Sequence, residues 1–195
     1  MRRITAIFLL VAFLISSSAV LAQKQQPADP IKNSKRAYEG WKLVWADEFN
    51  GRKLDTSSWE RCPRNTAYWG CHMSYLDTLV KVEDGVLKLF AINRPAEVKD
   101  DVPYLTGGVQ SRNRRSLQLG RVDVRARFDC GQGFWPAIWL MPDIRVPWAT
   151  GGEIDIMEHL NSEDKAYQTV HSQYTVKQYE PKTENGSNSP IDRTV

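Results

Sequence analysis

The sequence predicts an all-β protein built as a sandwich of sheets. Short runs rich in β-branched and aromatic residues recur along the chain, and turn signals such as Glu83-Asp84-Gly85 separate them at near-regular spacing. Almost no segment has the 3.6-residue period of an amphipathic helix. The chain has 195 residues with average apolar and charged content, which fits one globular domain.

The first 22 residues have the pattern of an export signal. Arg2 and Arg3 precede an apolar run from Ile4 to Ile15, and Val20-Leu21-Ala22 provides a cleavage region before Gln23. The apolar run is too short for a comfortable permanent span, and no cysteine follows it for a lipid anchor. We therefore predict a signal peptide at residues 1–22 and a periplasmic or secreted protein without a stable membrane anchor; an uncleaved anchor is the alternative.

The next segment, residues 23–40, is predicted to be a flexible linker. It is rich in Gln, Lys, Pro, Asp and Asn and has few large apolar side chains, so it has little to bury. The domain is expected to begin near Trp41 and to occupy residues 41–195. A net charge of +3 is too small to indicate a nucleic-acid partner.

Apolar or alternating runs mark the strands of this domain. In Arg121 to Phe128, charged side chains alternate with small apolar ones, which is typical of a strand with one solvated face. A charged loop at Asn93 to Asp101 and the Gly107-Gly108 pair separate neighbouring runs. The predicted strands are Thr78–Val82, Val86–Ala91, Val109–Arg112, Arg121–Phe128, Ala137–Met141 and Ala166–Tyr174.

Three cysteines, Cys62, Cys71 and Cys130, occur in a chain expected to be exported, where disulfides persist. Cys62 and Cys71 are close in sequence, so we predict a disulfide between them and a buried, unpaired Cys130. No Cys or His spacing indicates a zinc site, and no metal ligand is predicted.

The stretch from Gly151 to His159, with the sequence Gly-Gly-Glu-Ile-Asp-Ile-Met-Glu-His, carries three carboxylates between apolar residues. A helix would scatter these carboxylates around its axis. In a strand, Glu153 and Asp155 share one face and Glu158 falls out of phase. A β-bulge near Ile156-Met157 would return Glu158 to the acidic face.

Three close carboxylates repel one another and raise each other's pKa, so they indicate chemistry more than stability. Retaining glycoside hydrolysis uses an ionised carboxylate as nucleophile and a protonated one as general acid, about 5–5.5 Å apart. The alternative interpretation is a half-buried strand with an acidic solvent face.

The acidic motif resembles that of the family 16 glycoside hydrolases, in the branch with a bulged E-x-D-x-x-E strand. Three further stretches, Leu43 to Gly51, Gly120 to Arg127 and Gly133 to Pro142, are similar to that family's landmarks in the same order. The resemblance implies a β-jelly-roll sandwich of the concanavalin A-like lectin and glucanase type, with endo-cleavage of a β-linked polysaccharide and retention of configuration. Members of the family continue beyond the position of Val195, so we expect a sandwich that is incomplete at its C-terminus.

Matching the family's motif residue by residue makes Glu153 the nucleophile, Glu158 the acid/base and Asp155 the residue that positions and polarises Glu153. The same resemblance implies substrate contacts for Trp135, Trp148 and His171. Trp139 could equally be a core residue. The reaction needs no cofactor; relatives often carry a structural calcium, but no oxygen-rich loop here identifies one.

The loop from Trp59 to Tyr75 mixes aromatic residues with Arg64 and Asn65, and we expect both of these to bind substrate. Aromatics that merely cover a sheet edge are an equal alternative. Arg64 could pair with sulfate esters. Together with Tyr104 to Val109, this loop resembles the branch of algal galactanases.

The sequence therefore favours a monomeric enzyme that cleaves an algal β-galactan, agarose or porphyran. A β-1,3- or mixed-linkage glucanase is the alternative. A non-catalytic carbohydrate-binding protein is the alternative from another class, and the intact Glu153, Asp155 and Glu158 speak against it.

Overall fold

The computed structural model describes residues 39–177 and 186–191. The predicted signal peptide and nearly all of the predicted linker lie outside the described residues. The described residues contain no apolar helix of membrane-spanning length.

The described part of the chain is mostly strand and turn. Besides a single 3-10 turn at Asp77–Leu79, it contains one short helix, α1 (Gln173–Lys177). The strands are β1 (Glu60–Arg61), β2 (Val80–Glu83), β3 (Val86–Leu89), β4 (Ala91–Asn93), β5 (Tyr104–Thr106), β6 (Val109–Gln110), β7 (Ala137–Leu140), β8 (Glu153–Glu158), β9 (Lys165–His171) and β10 (Gly186–Pro190).

Strand pairing is antiparallel throughout these elements. The largest sheet has four strands in the order β10-β9-β8-β7, and the other strands form the pairs β1-β6, β2-β3 and β4-β5. Short antiparallel strands joined by turns match the all-β class predicted from the sequence.

The β2-β3 hairpin forms where the sequence carries Glu83-Asp84-Gly85. Asp84 and Gly85 have φ angles of 56° and 72°, the left-handed conformation that a two-residue hairpin turn of the primed type requires. Val80 and Val82 of the hairpin are buried, as are Leu79 just before it and Leu105 of β5. The turn and this small core hold the hairpin in place.

Gly107 allows its backbone to pack directly against the backbone of Leu79. A Cβ atom at Gly107 would lie 2.2 Å from the carbonyl oxygen of Leu79, so no side chain fits there. The amide of Phe90 donates to the same Leu79 oxygen at 2.9 Å, and the amide of Gly107 donates to the carbonyl of Phe90 at 2.8 Å. Backbone contact at this distance is the structural reason for the glycine.

Five of the predicted strand regions contain strands, with shifted ends. The Thr78–Val82 prediction begins as the 3-10 turn, Val86–Ala91 is divided between β3 and β4, and Tyr174 lies in α1. The predicted strand Arg121–Phe128 is wrong: it forms no ladder among the described residues, and Val122 and Val124 are exposed. Alternation marks the two faces of a strand, but a strand also needs a neighbour to accept its hydrogen bonds, and no strand in the described ranges pairs with this segment.

The cysteine predictions also need correction. Cys62, Cys71 and Cys130 are all free thiols, and Cys130 is exposed rather than buried. The Cys71 thiol donates to the carbonyl of Tyr68 at 3.1 Å, whereas Cys62 lies near Gly108. Burial raises the pKa of Cys62 to about 11, which disfavours the reactive thiolate. Cys130 follows the segment 121–128, which no strand of the described ranges covers, and its thiol lies 3.8 Å from Nε2 of His159.

Candidate active site

Strand β8 contains the bulge that the acidic motif predicts. Asp155 is opposite Thr169 on β9 and Glu158 is opposite Tyr167, so three steps along β8 match two steps along β9. The β7 side shows the same shift, because Ile138 pairs with Met157 and the next residue, Trp139, pairs with Asp155. The extra residue lies at Ile156-Met157, and it returns Glu158 to the face of Glu153 and Asp155.

Cross-strand pairing identifies the neighbours of each carboxylate on this face. Directly opposed residues of an antiparallel pair project to the same side of the sheet. His171 is opposite Glu153, Thr169 and Trp139 flank Asp155, and Tyr167 and Ala137 flank Glu158. Trp139, which the sequence left open between a substrate contact and a core position, therefore lies on the carboxylate face.

The Gly151-Gly152 pair allows the chain to enter β8 through a tight turn. Gly152 has a φ of 82°, a conformation that other residues rarely adopt. A Cβ atom at Gly151 would lie 2.6 Å from side-chain atoms of Pro142 and Val146. These glycines let the turn pack closely against the 142–146 segment immediately before Glu153.

Asp155 is the buried member of the acidic face, with 4% of its surface exposed. Burial raises the pKa of Asp155 to about 6, and the charges of Glu158 and Glu153 push it in the same direction. His171 opposes this shift, because its Nε2 lies 3.2 Å from Oδ2 of Asp155. The central acid is thus partly protonated near pH 6.

Two indole N–H groups hold the outer carboxylates. Nε1 of Trp148 donates to Oε2 of Glu153 at 2.5 Å, and Nε1 of Trp135 donates to Oε1 of Glu158 at 2.8 Å. The ring of Trp148 also lies 5.7 Å from that of His171. Trp135, Trp148 and His171 thus lie beside the acids, and Trp135 and Trp148 are about half exposed. Each indole can orient a carboxylate and still present its ring to a ligand.

Among the described residues, Glu153, Asp155 and His171 form a group whose spacing could hold a divalent cation. One oxygen each from Glu153 and Asp155 and a ring nitrogen of His171 lie within 4.8 Å of one another. These are the same groups that the hydrolytic chemistry would use, and close acidic groups are also the ordinary arrangement in a glycosidase site.

Arg64 and Asn65, predicted as substrate contacts, have structural partners in the loop before β2. Arg64 makes a two-pronged contact with Asp100, at 2.7 and 2.8 Å, and its Nε donates to the carbonyl of Met73. Oδ1 of Asn65 accepts a hydrogen bond from the amide of Ala67 at 2.8 Å. Because the Arg64 guanidinium is paired with Asp100, a sulfate ester would have to compete with that carboxylate. Arg64 and Asn65 therefore order the loop. A substrate contact by either residue stays a prediction.

Two aromatic contacts join this loop to β7 and to the segment just before it. The sequence analysis predicted neither contact. Trp69 packs edge-on against Trp139, with ring centroids 5.1 Å apart, and Tyr68 lies 6.0 Å from Trp135. The high aromatic content of the loop was the sequence feature that could have indicated these contacts. Nothing local to the sequence says which distant ring each aromatic meets.

The known proteins that this chain resembles include several polysaccharide hydrolases. Residues 111–194 match the family model described as XgeA-like, catalytic GH16 domain. The chain is 38% identical over 136 residues to the keratan-sulfate endo-1,4-beta-galactosidase of Sphingobacterium multivorum, and 37% identical over 149 residues to glucan endo-1,3-beta-glucosidase A1 of Niallia circulans. Each alignment covers 68% of this chain but only 32% and 21% of the two relatives.

Among solved structures, the catalytic domain of the laminarinase from Thermotoga maritima MSB8 is similar, with a TM-score of 0.66 and 27% identity. That match covers 80% of this chain and 64% of the laminarinase chain. The fold is thus the all-β jelly-roll sandwich of the laminarinase class, as the sequence predicted. The chain belongs to glycoside hydrolase family 16.

Proposed function

We propose that this protein is part or all of an endo-acting, retaining β-glycoside hydrolase that cleaves a polysaccharide. The observation that carries the proposal is the bulge of β8, which puts Glu153, Asp155 and Glu158 on one face of the sheet. Trp148 and Trp135 each donate a hydrogen bond to an outer glutamate and leave its second oxygen for substrate. A strand with a merely solvated acidic face needs neither the bulge nor the buried central acid.

In the first step, a carboxylate oxygen of Glu153 attacks the anomeric carbon as the glycosidic C–O bond breaks. Glu158 gives its carboxyl proton to the leaving oxygen, and a covalent glycosyl ester of Glu153 results. Asp155 lies between them on the strand and positions Glu153. With a pKa of about 6, Asp155 can hold a proton beside an ionised neighbour, which limits the charge repulsion within the site.

In the second step, the Glu158 carboxylate accepts a proton from water, and the water oxygen attacks the anomeric carbon. The ester bond to Glu153 breaks and the carboxylate is restored, so two inversions give net retention. No step uses a metal or an organic cofactor. A structural calcium, if one binds, would act outside this chemistry.

Laminarin-type β-1,3-glucan is the substrate that the reported relatives support best. The glucanase of Niallia circulans and the laminarinase of Thermotoga maritima both bear names that specify this chemistry. The agarose or porphyran preference predicted from the sequence has weaker support than the β-glucan alternative. Arg64, on which a sulfate contact depended, is engaged by Asp100.

Keratan sulfate is the second candidate substrate. The 38% identical relative from Sphingobacterium multivorum is named as an endo-1,4-beta-galactosidase acting on it. Its endo-acting cleavage of a β-linked chain would use the same three acids. Which of the two polymers is cleaved then depends on side chains around the acids rather than on the acids themselves.

The test is reducing-end release by the purified full chain on laminarin, mixed-linkage glucan, keratan sulfate, agarose and porphyran. Glu153→Gln should abolish release, and Glu83→Gln, a matched change on the β2-β3 hairpin, should leave it intact. NMR of the first product should show the β-anomer. Equal release by wild type and Glu153→Gln would contradict the proposal; polymer binding without release by wild type would favour the non-catalytic alternative.

Two further expectations belong with this function. Polymeric β-glycans are met outside the cytoplasm, and the predicted signal peptide at residues 1–22 supports export to the periplasm or medium. The protein is expected to act as a monomer on its polysaccharide. Fractionation of expressing cells and size measurement by light scattering test these two statements.

A further inference from the structure

The hydrogen bond between Trp135 and Glu158 tells which side of the cleaved bond Trp135 occupies. Under the proposed function, Glu158 protonates the leaving oxygen, so it lies beside the sugar that departs. Trp135 donates to Glu158 at 2.8 Å and therefore lies on the leaving-group side. Trp148 donates to Glu153 and lies against His171, so under the same function these two residues would flank the sugar that becomes esterified.

Tyr68 extends the aromatic surface on the leaving-group side. Its ring centroid is 6.0 Å from that of Trp135, and the two planes meet at 45°. Tyr68 is 79% exposed and Trp135 is 50% exposed, so neither ring is buried in the core. Neighbouring exposed aromatic rings are suited to stack against the C–H faces of pyranose rings.

The loop that carries Tyr68 is held at both ends. Arg64, before the loop tip, donates to the carbonyl of Met73, after it, and also pairs with Asp100 of the neighbouring loop between β4 and β5. The amide of Ser74 donates to Thr106 of β5 at 3.1 Å. A surface loop tied in this way presents its ring in a fixed place and loses little entropy on binding.

The tip itself is a closed turn. The amides of Gly70 and Cys71 both donate to the carbonyl of Ala67, at 2.9 and 3.0 Å, and the amide of Asn65 donates to Gly70. A Cβ atom at Gly70 would lie 2.3 Å from the side chain of Asn65. The backbone on both sides of Tyr68 is therefore determined by local hydrogen bonds.

We propose that Tyr68 and Trp135 form a leaving-group-side subsite that stacks on a pyranose ring of the departing β-linked chain. This inference rests on the proposed function and assigns a specificity role within it. Tyr68 makes no contact with the acids among the described residues, so its effect should depend on the length of the substrate on that side.

The test compares two substrates from the polymer that wild type cleaves: a hexasaccharide, and the β-fluoride of the trisaccharide. The fluoride leaving group is a single atom and cannot reach Tyr68. Tyr68→Ala should lower kcat/KM for the hexasaccharide about 3- to 10-fold, the usual range for one aromatic contact. It should change kcat/KM for the fluoride less than twofold.

Tyr68→Phe should keep most of the hexasaccharide activity, because the ring remains. Tyr75→Ala removes another exposed tyrosine and should have no effect on either substrate. Equal losses on both substrates, or no loss on the hexasaccharide, would overturn the inference. An unchanged Tm for Tyr68→Ala excludes loss of the fold as the cause.

A binding measurement separates failure of the inference from failure of the proposed function. Calorimetric titration of Glu153→Gln with laminarihexaose or a keratan-sulfate hexasaccharide needs no turnover, and adding Tyr68→Ala should weaken Kd about 3- to 10-fold. If wild type releases no reducing ends but Tyr68→Ala still weakens Kd in the Glu153→Gln background, the subsite inference stands. The proposed hydrolytic function then fails. Unchanged Kd, or no binding at all, overturns the subsite.

Discussion

The indole nitrogen of Trp135 donates a hydrogen bond of 2.8 Å to Oε1 of Glu158, on the strand next to its own segment. Trp148 makes the equivalent contact with Glu153 at 2.5 Å. The two outer acids of the strand are thus each oriented by a half-exposed tryptophan. In both cases one aromatic residue can orient a carboxylate and still present its ring to a ligand.

Replacing Trp135 by Phe separates these two roles. The change keeps an aromatic ring and removes the N–H, so we expect kcat to fall about tenfold, as for loss of a hydrogen bond to a charged group, with little change in KM. Trp135→Ala should also raise KM. Trp41→Phe, at a tryptophan of similar exposure outside the site, is the control; equal kinetics for Trp135→Phe and wild type would show that the hydrogen bond is not used.

Glu158→Ala tests the acid/base assignment. Hydrolysis of the polymer should fall by about 10²–10⁴-fold because no group protonates the leaving oxygen. The β-fluoride needs less protonation and should react far better than the polymer. Azide can take the place of water in the second step and should raise the rate with a β-glycosyl azide as product. An α-azide would instead assign the nucleophile to position 158.

Asp155→Asn should make the protein more stable at neutral pH and less active. The folded-state pKa of Asp155, about 6, lies above its ordinary value of 3.8. The folded state therefore binds this proton more tightly than the unfolded state does, and that stabilisation is present at low pH and is lost as pH rises through about 6.

The variant carries no such charge, so its Tm advantage should grow between pH 4 and pH 7. We expect roughly 2–6 °C at pH 7, the shift that corresponds to about 1–2 kcal/mol in a protein of this size. Differential scanning calorimetry at both pH values measures it. A Tm difference that is constant with pH would mean that Asp155 titrates normally.

Breaking the contact between Arg64 and Asp100 should loosen the loop that carries Tyr68. Arg64→Ala and Asp100→Ala should each lower kcat/KM for the hexasaccharide by about 2- to 5-fold, and the double variant should be no worse than either single one. Asp77→Ala, which removes the exposed partner of Arg61, is the matched control. Additive losses in the double variant would show that the two residues act separately.

The same contact should persist in acid. Arg64 lowers the pKa of Asp100 to about 2, so the interaction is present above the ordinary value near 4 and is lost only as pH falls through about 2. The Arg64→Ala effect should therefore be the same at pH 5 and pH 7.

Chelation should not affect turnover. Incubation with EDTA is expected to leave kcat/KM unchanged, because both proposed steps use only carboxylates and water. A fall in Tm without a change in rate would reveal a structural cation. Loss of activity that added calcium restores would contradict the proposed mechanism.

The sequence by itself determined the strand that carries the three acids. Alternation places Glu153 and Asp155 on one face, and the phase of Glu158 requires one extra residue; both are local properties of the chain, and the bulge at Ile156-Met157 is where they predict it. The Asp84-Gly85 turn was predictable for the same reason, because its φ angles follow from residue type.

Only the tertiary structure decided which distant side chains meet. Arg64 has the charge expected of a sulfate-binding residue, but folding brings Asp100 to it. Tyr68 meets Trp135, and Arg121–Phe128 has the pattern of a strand but no partner in the described ranges. Such contacts depend on how separate segments pack, which neither residue type nor local periodicity encodes.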